Sequence, residues 1–523
     1  MNITVKSKTD SYIVRCKKGQ SVMEALKEND TYVNAICGGR GTCGKCKIRL
    51  LSGNVTPTKE DMKIFTSEEL DQGYLLACKA YPSDDCAISL EFNDEEDFYV
   101  VTDYENVNLT QREIKEGTYV VGIDIGTTTI AMQLMDMTKG VVIDTYTAIN
   151  KQRAYGGDVI SRIEASNSGQ SEALKESIQM DLKKGIKAFV KKNRVVISEI
   201  TMAGNTTMIH LLMGYSCKGL GVFPYTPVNI RTIQTTYEQL LGDQEYGMPI
   251  TIFPGISTYV GGDIVAGLFC CEFHQKEEIS VLIDLGTNGE MVIGNKDRIL
   301  VTSTAAGPAF EGGNITYGTG SVPGAISNVS ILNGEVTIKT IGDKPPIGIC
   351  GTGVIETTLE LLKEELIDET GLLTKEYFDE GYVLASSEAD EKIIFTQKDM
   401  REIQLAKAAV RAGLETLLLR YGVTYDQVSN VYLAGGFGYK VDIEKAIGIG
   451  LIPEAFRGKI KTIGNSSLYG SLKYMERNTI EDGVVSKATK ELAHMIEVSQ
   501  ELTLSNDTHF NDLYLKHMFF NVE

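Results

Sequence analysis

Residues 121–129 read VGIDIGTTT, and residues 281–289 read VLIDLGTNG. Each stretch has the pattern of an apolar strand that ends in an aspartate, followed by a Gly-Thr turn and the start of another strand. Two such similar hairpins far apart in the chain predict a duplicated α/β fold with two facing halves. Their separation is too long for a solenoid repeat. The alternation of apolar runs with long helical patterns over the last roughly 400 residues agrees with that class.

The turns of the two hairpins have the chemistry of a phosphate site. Turns rich in Gly, Thr and Asn present backbone amides to phosphate oxygens. The aspartates Asp124 and Asp284 can hold Mg²⁺ through water or orient a water toward the terminal phosphate, and we predict them to be catalytic. The predicted phosphate-binding residues are Gly126, Thr127, Thr128, Gly286, Thr287 and Asn288.

A third element, VYLAGGFG at residues 431–438, is a strand that ends in a glycine turn. Its glycines Gly435, Gly436 and Gly438 would let the backbone approach an adenosine closely. No Gly-x4-Gly-Lys-Ser/Thr motif is present, so the chain is not a P-loop protein. The order of phosphate hairpin, phosphate hairpin and adenosine turn resembles the superfamily of sugar kinases, heat-shock chaperone ATPases and actin, which implies a duplicated actin-like (RNase H-like) ATPase core.

Four cysteines near the start of the chain have the spacing of a cluster site. Cys37, Cys43 and Cys46 lie close together, and Cys78 follows after a long gap. Four thiolates are what a [2Fe–2S] cluster requires, and the small residues 38–42 suit a loop that wraps it. A zinc site is the alternative, although four-cysteine zinc sites favour two short pairs. The five-residue first spacing resembles the adrenodoxin-like ferredoxins, which implies an N-terminal β-grasp ferredoxin-like module.

The net charge and the distribution of apolar residues indicate which partners and which cell compartment to expect. The chain has 523 residues, and its net charge of −19 repels phosphate backbones, so we expect no nucleic-acid partner. No stretch reaches the roughly 18 apolar residues of a membrane span, and the start lacks the apolar core of a signal peptide, so we expect a cytoplasmic protein with no membrane contact. The remaining cysteines are predicted to be buried thiols, namely Cys16, Cys86, Cys217, Cys270, Cys271 and Cys350, and His210 is predicted to be a core residue.

The predicted organisation has four parts. A ferredoxin-type domain occupies residues 1–93, an acidic boundary opens a linker at 94–118, and the actin-like halves occupy 119–278 and 279–523. Within these parts we predict a strand pair at 3–5 and 12–14, a helix capped by Ser21, a helix over 396–421, and tail helices at 487–497 and 510–519.

The whole chain resembles the reductive activators of corrinoid proteins. The resemblance lies in IDIGTT at 123–128, AGNTTM at 203–208, DLGTNGE at 284–290 and AGPAFEG at 306–312. It implies the reduction of an inactive Co(II) corrinoid to Co(I) at the expense of ATP, with a [2Fe–2S] cluster and Mg²⁺. It also implies two partners, a low-potential electron donor and the corrinoid protein of a methyltransferase, O-demethylase or related system. The oligomeric state stays open, with a homodimer as one option.

A nucleotide would be needed because the reduction potential of a plant-type cluster is about −400 mV, and the resemblance implies that Co(I) is a stronger reductant.

Three other classes of function stay open at this point. A metabolic kinase could carry the cluster as a regulatory module. An activator of 2-hydroxyacyl-CoA dehydratases would bind its cluster through cysteines of the ATPase part, where no suitable pair occurs. A plain electron carrier would leave the two phosphate hairpins unexplained.

Overall fold

The structure is a computed structural model that describes most of the chain. Cys37, Cys43 and Thr287 lie outside the described residues, as do the acidic boundary at 93–97 and most of the predicted linker. The described residues are 1–6, 11–29, 31, 33, 39–42, 44–90, 102–103, 117–286, 288–387, 391–438, 441–477 and 486–520.

The N-terminal module is a mixed sheet covered by a short helix. The strand order is β2-β1-β5-β3-β4, with β1 parallel to β5 and the other pairs antiparallel, which is the predicted β-grasp arrangement. The predicted strand pair is confirmed, and Ser21 caps α1 in a capping box with Glu24. The elements are β1 (Asn2–Lys6), β2 (Ser11–Arg15), α1 (Val22–Lys27), β3 (Lys47–Ser52), α2 (Asp61–Ile64), α3 (Ser67–Asp71), β4 (Tyr74–Leu76) and β5 (Cys86–Ser89).

The first half of the large unit is a six-stranded sheet in the order β10-β11-β9-β6-β7-β8. Its strands β6, β7 and β8 form an antiparallel meander, and β9 pairs in parallel with β6. Helices α5 and α6 bury their apolar side chains against this sheet. The elements are β6 (Tyr119–Ile125), β7 (Thr129–Asp136), β8 (Val141–Ile149), α4 (Val159–Ala165), α5 (Ser171–Asn193), β9 (Ile197–Gly204), α6 (Thr206–Met213), α7 (Lys218–Gly221), β10 (Ile233–Thr236), α8 (Tyr237–Leu241), β11 (Pro249–Ile252) and α9 (Gly262–Cys270).

The second half has a six-stranded sheet in the order β21-β20-β12-β13-β14-β22, with two small sheets, β16-β15-β17 and β18-β19, added to it. The elements are β12 (Ile279–Leu285), β13 (Gly289–Gly294), β14 (Ile299–Thr304), β15 (Ala325–Leu332), β16 (Glu335–Thr340), β17 (Gly348–Ile349), α10 (Gly351–Lys363), β18 (Tyr382–Ser386), β19 (Lys392–Phe395), α11 (Gln397–Tyr421), β20 (Val428–Ala434), α12 (Gly435–Gly438), α13 (Ile443–Gly448), β21 (Ile460–Gly464), α14 (Ser466–Arg477), α15 (Lys487–Glu497), β22 (Ser499–Glu501) and α16 (Thr508–Lys516). Short 3-10 segments cover Lys151–Ala154, Pro308–Glu311, Ile341–Asp343, Tyr425–Gln427, Glu454–Phe456 and Leu504–Asn506, and a π-type segment covers Ser166–Gln170.

The two halves share the order of five strands, β11-β9-β6-β7-β8 and β21-β20-β12-β13-β14, which confirms the predicted duplication, and the sixth strand lies at opposite edges of the two sheets. In each, the first strand of an antiparallel meander lies at the centre, and its other edge pairs in parallel with the fourth strand. The registers match as well, because Asp124 pairs with Ala203 and Asp284 pairs with Ala434. Each aspartate therefore occupies the same place, just before the end of the central strand.

Helices α9 and α14 pack between the two sheets, and one hydrophobic core draws residues from both halves. Small residues let the two helices approach closely. A Cβ atom at Gly470 would overlap the carbonyl oxygen of Ala266, and one at Gly267 would lie 2.8 Å from Ser466 Oγ. The two halves therefore meet along a tightly packed helix crossing.

The long helix predicted from its ends is confirmed. Thr396 caps α11 in a capping box with Asp399, and Gly422 ends it in the left-handed conformation at φ +89°. The tail helix at 487–497 forms as predicted, whereas the last helix begins at Thr508 and ends at Lys516, earlier than predicted. Within the described ranges, no helix combines the length and the apolar composition that a bilayer crossing requires.

Candidate functional site

The first phosphate hairpin joins β6 to β7 and is closed by a hydrogen bond from Gly126 N to the Thr129 carbonyl oxygen, at 2.9 Å. A Cβ atom at Gly126 would lie 2.8 Å from that oxygen, so the turn has room for glycine only. The side chain of Asn205, the N-cap of α6, donates to Thr127 Oγ1 at 3.0 Å. The turn is thus held from behind by the AGNTTM segment.

Asp124 is held by residues of the opposite half. Asn465 Nδ2 donates to one carboxylate oxygen at 2.9 Å, and Ser467 Oγ donates to the other at 2.7 Å. Both donors lie at the start of α14. Burial raises the pKa of the Asp124 carboxyl, and these two hydrogen bonds oppose that rise. The predicted residue therefore lies where the two halves meet.

The second hairpin joins β12 to β13, where Gly286 N donates to the Asn288 carbonyl oxygen at 3.0 Å. Asp284 lies opposite Glu290 in the strand register. Burial, and then the charges of Asp263, Asp124 and Glu311, raise the pKa of Asp284 to about 7. The second hairpin thus carries a carboxylate surrounded by like charges.

A cluster of five carboxylates lines the cleft between the hairpins, and sequence reasoning assigned only two of them. The others are Asp263 at the start of α9, Glu290 on β13 and Glu311 after β14. Burial and the charge of Asp124 raise the pKa of Asp263 to about 7, while burial and the charges of Asp263 and Asp284 raise the pKa of Glu290. Glu290 and Glu311 are visible in the motifs DLGTNGE and AGPAFEG, whereas Asp263 had only the weak signal of a Gly-Gly-Asp turn.

The predicted adenosine turn lies against the second hairpin. Gly435 has φ +88°, and a Cβ atom there would lie 2.6 Å from both Asp284 Oδ1 and the Leu285 carbonyl oxygen. Gly436 and Gly438 continue into the short α12. The three glycines therefore begin at the carboxyl end of β20, beside the carboxylate cluster.

The donor set of the cleft fits a hard cation. A divalent ion reduces the repulsion between carboxylates that raise one another's pKa, and Mg²⁺ prefers oxygen ligands. Across the described residues, no three His, Cys, Asp or Glu side chains already stand in metal-binding geometry.

The N-terminal module brings two of the predicted cluster ligands together. Cys46 precedes β3 and Cys78 follows β4, and these strands pair with Lys47 opposite Leu76. Both thiols are buried, and their sulfurs lie 3.3 Å apart. The sulfur–sulfur distance is far beyond the roughly 2.05 Å of a disulfide bond. It is closer to the roughly 3.8 Å that separates two thiolates on one tetrahedral metal with bonds of about 2.3 Å. The pair fits two ligands of one iron, while Cys37 and Cys43 lie outside the described residues.

The loop beside this thiol pair needs glycine. Gly39 and Gly41 have φ values of +84° and +81°, which other residues rarely adopt. A Cβ atom at Gly39 would lie 3.8 Å from the Cys78 side chain. The loop therefore passes next to Cys78, as the predicted wrapping requires.

The residues predicted to be structural are buried. The six other cysteines are buried thiols outside any disulfide, as predicted. His210 is fully buried, its Nδ1 lies 2.7 Å from the Thr206 carbonyl oxygen, and its Nε2 accepts from Val228 N. Both ring nitrogens are thus satisfied by the backbone, which confirms a core histidine.

Three family models together match most of the chain. Residues 5–83 match a 2Fe-2S iron-sulfur cluster binding domain, residues 119–276 match the RACo middle region, and residues 278–523 match the C-terminal domain of RACo, the ASKHA domain. The two RACo models thus cover both halves of the large unit.

Curated relatives extend over similar lengths. The corrinoid activation enzyme RamQ of Eubacterium limosum is 28% identical, with 93% of this chain and 94% of the relative covered. The [Co(II) methylated amine-specific corrinoid protein] reductase of Methanosarcina barkeri is 26% identical, with 76% of each chain covered.

A solved structure has the same overall arrangement. It is a reductive activator for corrinoid, iron-sulfur protein, 29% identical, with a TM-score of 0.67 over 99% of this chain and 98% of the other. The motifs, the duplicated strand order and the family models agree, so we conclude that the chain belongs to the RACo family of reductive activators.

Proposed function

We propose that this protein reduces the inactive Co(II) state of a corrinoid protein to Co(I), with the electron taken from a [2Fe–2S] cluster and the drive taken from ATP. The observation that carries the proposal is that one chain of the RACo family joins a buried thiol pair to a two-sided carboxylate cleft. The names of its relatives, a corrinoid activation enzyme and a Co(II) corrinoid protein reductase, support the substrate class.

The cluster would be held by Cys37, Cys43, Cys46 and Cys78. When bound, it supplies one electron at about −400 mV, and the electron converts Co(II) to Co(I). A low-potential donor must replace that electron. Each ~59 mV by which the transfer runs uphill makes its equilibrium tenfold less favourable, so a nucleotide that favours one geometry of the complex can supply the difference.

The cleft residues would divide the work of nucleotide binding. The amides of both hairpin turns, at 126–128 and 286–288, would hold the phosphates, and the glycines that begin at Gly435 would admit the adenosine. Asp124 and Asp284 would hold Mg²⁺ through water or orient the attacking water. The carboxylate cluster supports the requirement for Mg²⁺, because carboxylates repel a polyphosphate unless a cation lies between them.

The proposal is tested with the full chain under anaerobic conditions. Protein with about two iron and two sulfide per chain is mixed with a reductant and a Co(II) corrinoid protein, and Co(I) is followed by visible absorption. We expect Co(I) only when ATP and Mg²⁺ are both present. An equal rate without nucleotide would contradict the ATP-driven step, and zinc in place of iron and sulfide would contradict the cluster.

Matched variants separate the two sites. Cys46→Ser should lose the cluster colour and Co(I) formation while it retains ATP hydrolysis. Cys86→Ser is the control, because Cys86 is another buried thiol of the same module, with its pKa raised by burial to about 11, and it should keep both activities. Asp284→Asn should keep the colour and lose at least about 10²-fold in ATP hydrolysis.

A further inference from the structure

Arg162 is a buried cation directly behind the first phosphate hairpin. Its side chain is fully buried, with Nη2 donating to the Thr127 carbonyl oxygen at 2.6 Å and Nε donating to the Gly156 carbonyl oxygen at 2.8 Å. Its Nη1 lies 3.5 Å from Gln152 Oε1. The guanidinium therefore ties the turn of hairpin 1 to residues 152–156.

In the part of the chain that the structure describes, Arg162 forms no ion pair, and the charge of Asp158 acts on it from farther away. Burial lowers the pKa of Arg162 to about 9. A buried charge without an ion partner is costly. A polyphosphate on the open side of hairpin 1 would offset that cost across the peptide group of Thr127, so the contacts of Arg162 should tighten when a nucleotide binds.

The segment that Arg162 holds is tied to hairpin 1 at its other end as well. Asn150 Nδ2 donates to the Gly126 carbonyl oxygen at 2.9 Å, and Asn150 N donates to the Thr128 carbonyl oxygen at 2.9 Å. Residues 150–156 thus form a bracket around the back of the turn, and a shift of the turn moves the bracket with it.

The same bracket and α4 carry contacts with the N-terminal module. The Lys27 ammonium lies over the ring of Tyr155, 2.9 Å from its centroid. Arg40 Nη1 lies 3.2 Å from Glu164 Oε2, and Glu164 is two residues beyond Arg162 on α4. Arg40 itself lies between Cys37 and Cys43, in the glycine-rich loop predicted to wrap the cluster.

We propose that Arg162 is a positioning residue that couples the nucleotide state of hairpin 1 to the seating of the cluster loop. The coupling runs from Thr127 through Arg162 to Tyr155 and Glu164, and from these to Lys27 and Arg40. The inference rests on the proposed nucleotide site and adds the route by which that site acts on the iron-sulfur module. It requires a change in the seating of the module each time nucleotide enters or leaves.

Hydrogen exchange of the full cluster-loaded chain tests the route. In the parent, MgATP should slow exchange at the turn of hairpin 1 and change exchange at residues 39–46. Glu164→Gln should keep the turn response and reduce the loop response by about 1.5- to 5-fold, the range for one exposed ion pair. Glu172→Gln is the control, because Glu172 pairs with Lys175 on α5, is exposed and should leave both responses unchanged.

Arg162→Lys tests the residue at the centre of the route, because a lysine keeps the charge but has one nitrogen where the guanidinium places three nitrogens against three separate acceptors. In Arg162→Lys we expect MgATP still to slow hydrogen exchange at the turn of hairpin 1, while the response of the cluster loop falls. The control for folding is Arg411→Lys, because Arg411 is a buried arginine that pairs with Glu415 in the other half. Arg40→Glu should also lose the loop response, and Arg40→Glu combined with Glu164→Arg should restore it.

Two outcomes would overturn the inference in distinguishable ways. A loop response of parent size in folded Arg162→Lys and in Glu164→Gln would show that the coupling takes another route. An absence of any MgATP response at hairpin 1 in the parent would refute the nucleotide site itself, and the inference with it. Failure of the charge swap to restore the response, with the cluster absorption unchanged, would also count against the Arg40–Glu164 contact.

Discussion

Replacing Asp263 with asparagine should make the nucleotide-free protein more stable at alkaline pH. Asp263 lies at the start of α9, where burial and the charge of Asp124 raise its pKa from 3.8 to about 7. A carboxyl whose pKa is higher in the folded state than in the unfolded chain costs stability as the pH rises from about 4 to about 7, and above 7 the loss is complete. Each pKa unit corresponds to 1.36 kcal/mol, so the upper bound is about 4 kcal/mol.

We expect about half of that bound, ~2 kcal/mol, because water entry and small movements relieve part of the penalty in the charged state. For a unit of roughly 400 residues this corresponds to a gain of about 2–4 °C in Tm. Thermal unfolding of the parent and Asp263→Asn at pH 5.0 and pH 8.5 measures it. The gain should be near its full size at pH 8.5 and much smaller at pH 5.0, where the parent carboxyl is protonated.

Asp243→Asn is the matched control in the same half. The hydrogen bond from Lys187 lowers the pKa of Asp243, which is the opposite shift, so this variant should leave Tm unchanged or slightly lower at pH 8.5. The stabilised Asp263→Asn should bind MgATP more weakly, because it has lost a charge that attracts the cation. A Tm gain of equal size at both pH values, or a loss at pH 8.5, would refute the electrostatic reasoning.

Two further outcomes follow from the cleft. Gly435→Ala should weaken nucleotide binding at least tenfold. The control is Gly422→Ala, which has a similar φ of +89° and no atom near the added Cβ, so it should lose only the roughly 1–2 kcal/mol of backbone strain in stability. Equal nucleotide affinities of the two variants in calorimetry would contradict the close approach of Gly435 to hairpin 2. Binding of MgATP should tighten as the pH rises through about 7 and should release protons, because the cation favours the ionised forms of Asp263 and Asp284. Calorimetry in buffers of different ionisation enthalpy measures the proton release, and proton uptake would contradict the prediction.

Features fixed by local pattern could be predicted from the sequence. The capping box of Thr396, the stop at Gly422 and the two hairpins depend on neighbouring residues, so their signals lie within a few positions. The approach of Cys46 to Cys78 was also to be expected, because both belong to the four cysteines whose spacing predicts one cluster.

The residues that sequence reasoning missed depend on contacts between distant segments. Asp263 joins the carboxylate cluster only because α9 lies between the two sheets. Asn465 and Ser467 reach Asp124 from more than 300 positions away, and neither lies in a recognisable motif. Arg162 looks like an ordinary surface arginine of a short helix until the packing of α4 behind hairpin 1 is known. Such partners are set by tertiary packing, within one half or between the two, and no local sequence signal marks them.

The capture of Asp124 by α14 makes the two copies of the hairpin unequal. The order of five strands and the register of the two aspartates repeat, yet Asp124 accepts hydrogen bonds from two donors of the other half, whereas Asp284 is surrounded by charges that all raise its pKa. A cation between the hairpins would therefore meet more unneutralised carboxylate charge on the side of the second hairpin. The repeat of the backbone is therefore not matched by the partners of the two aspartates, and a Mg²⁺ ion with its phosphate would acquire a direction across the cleft that the backbone does not provide.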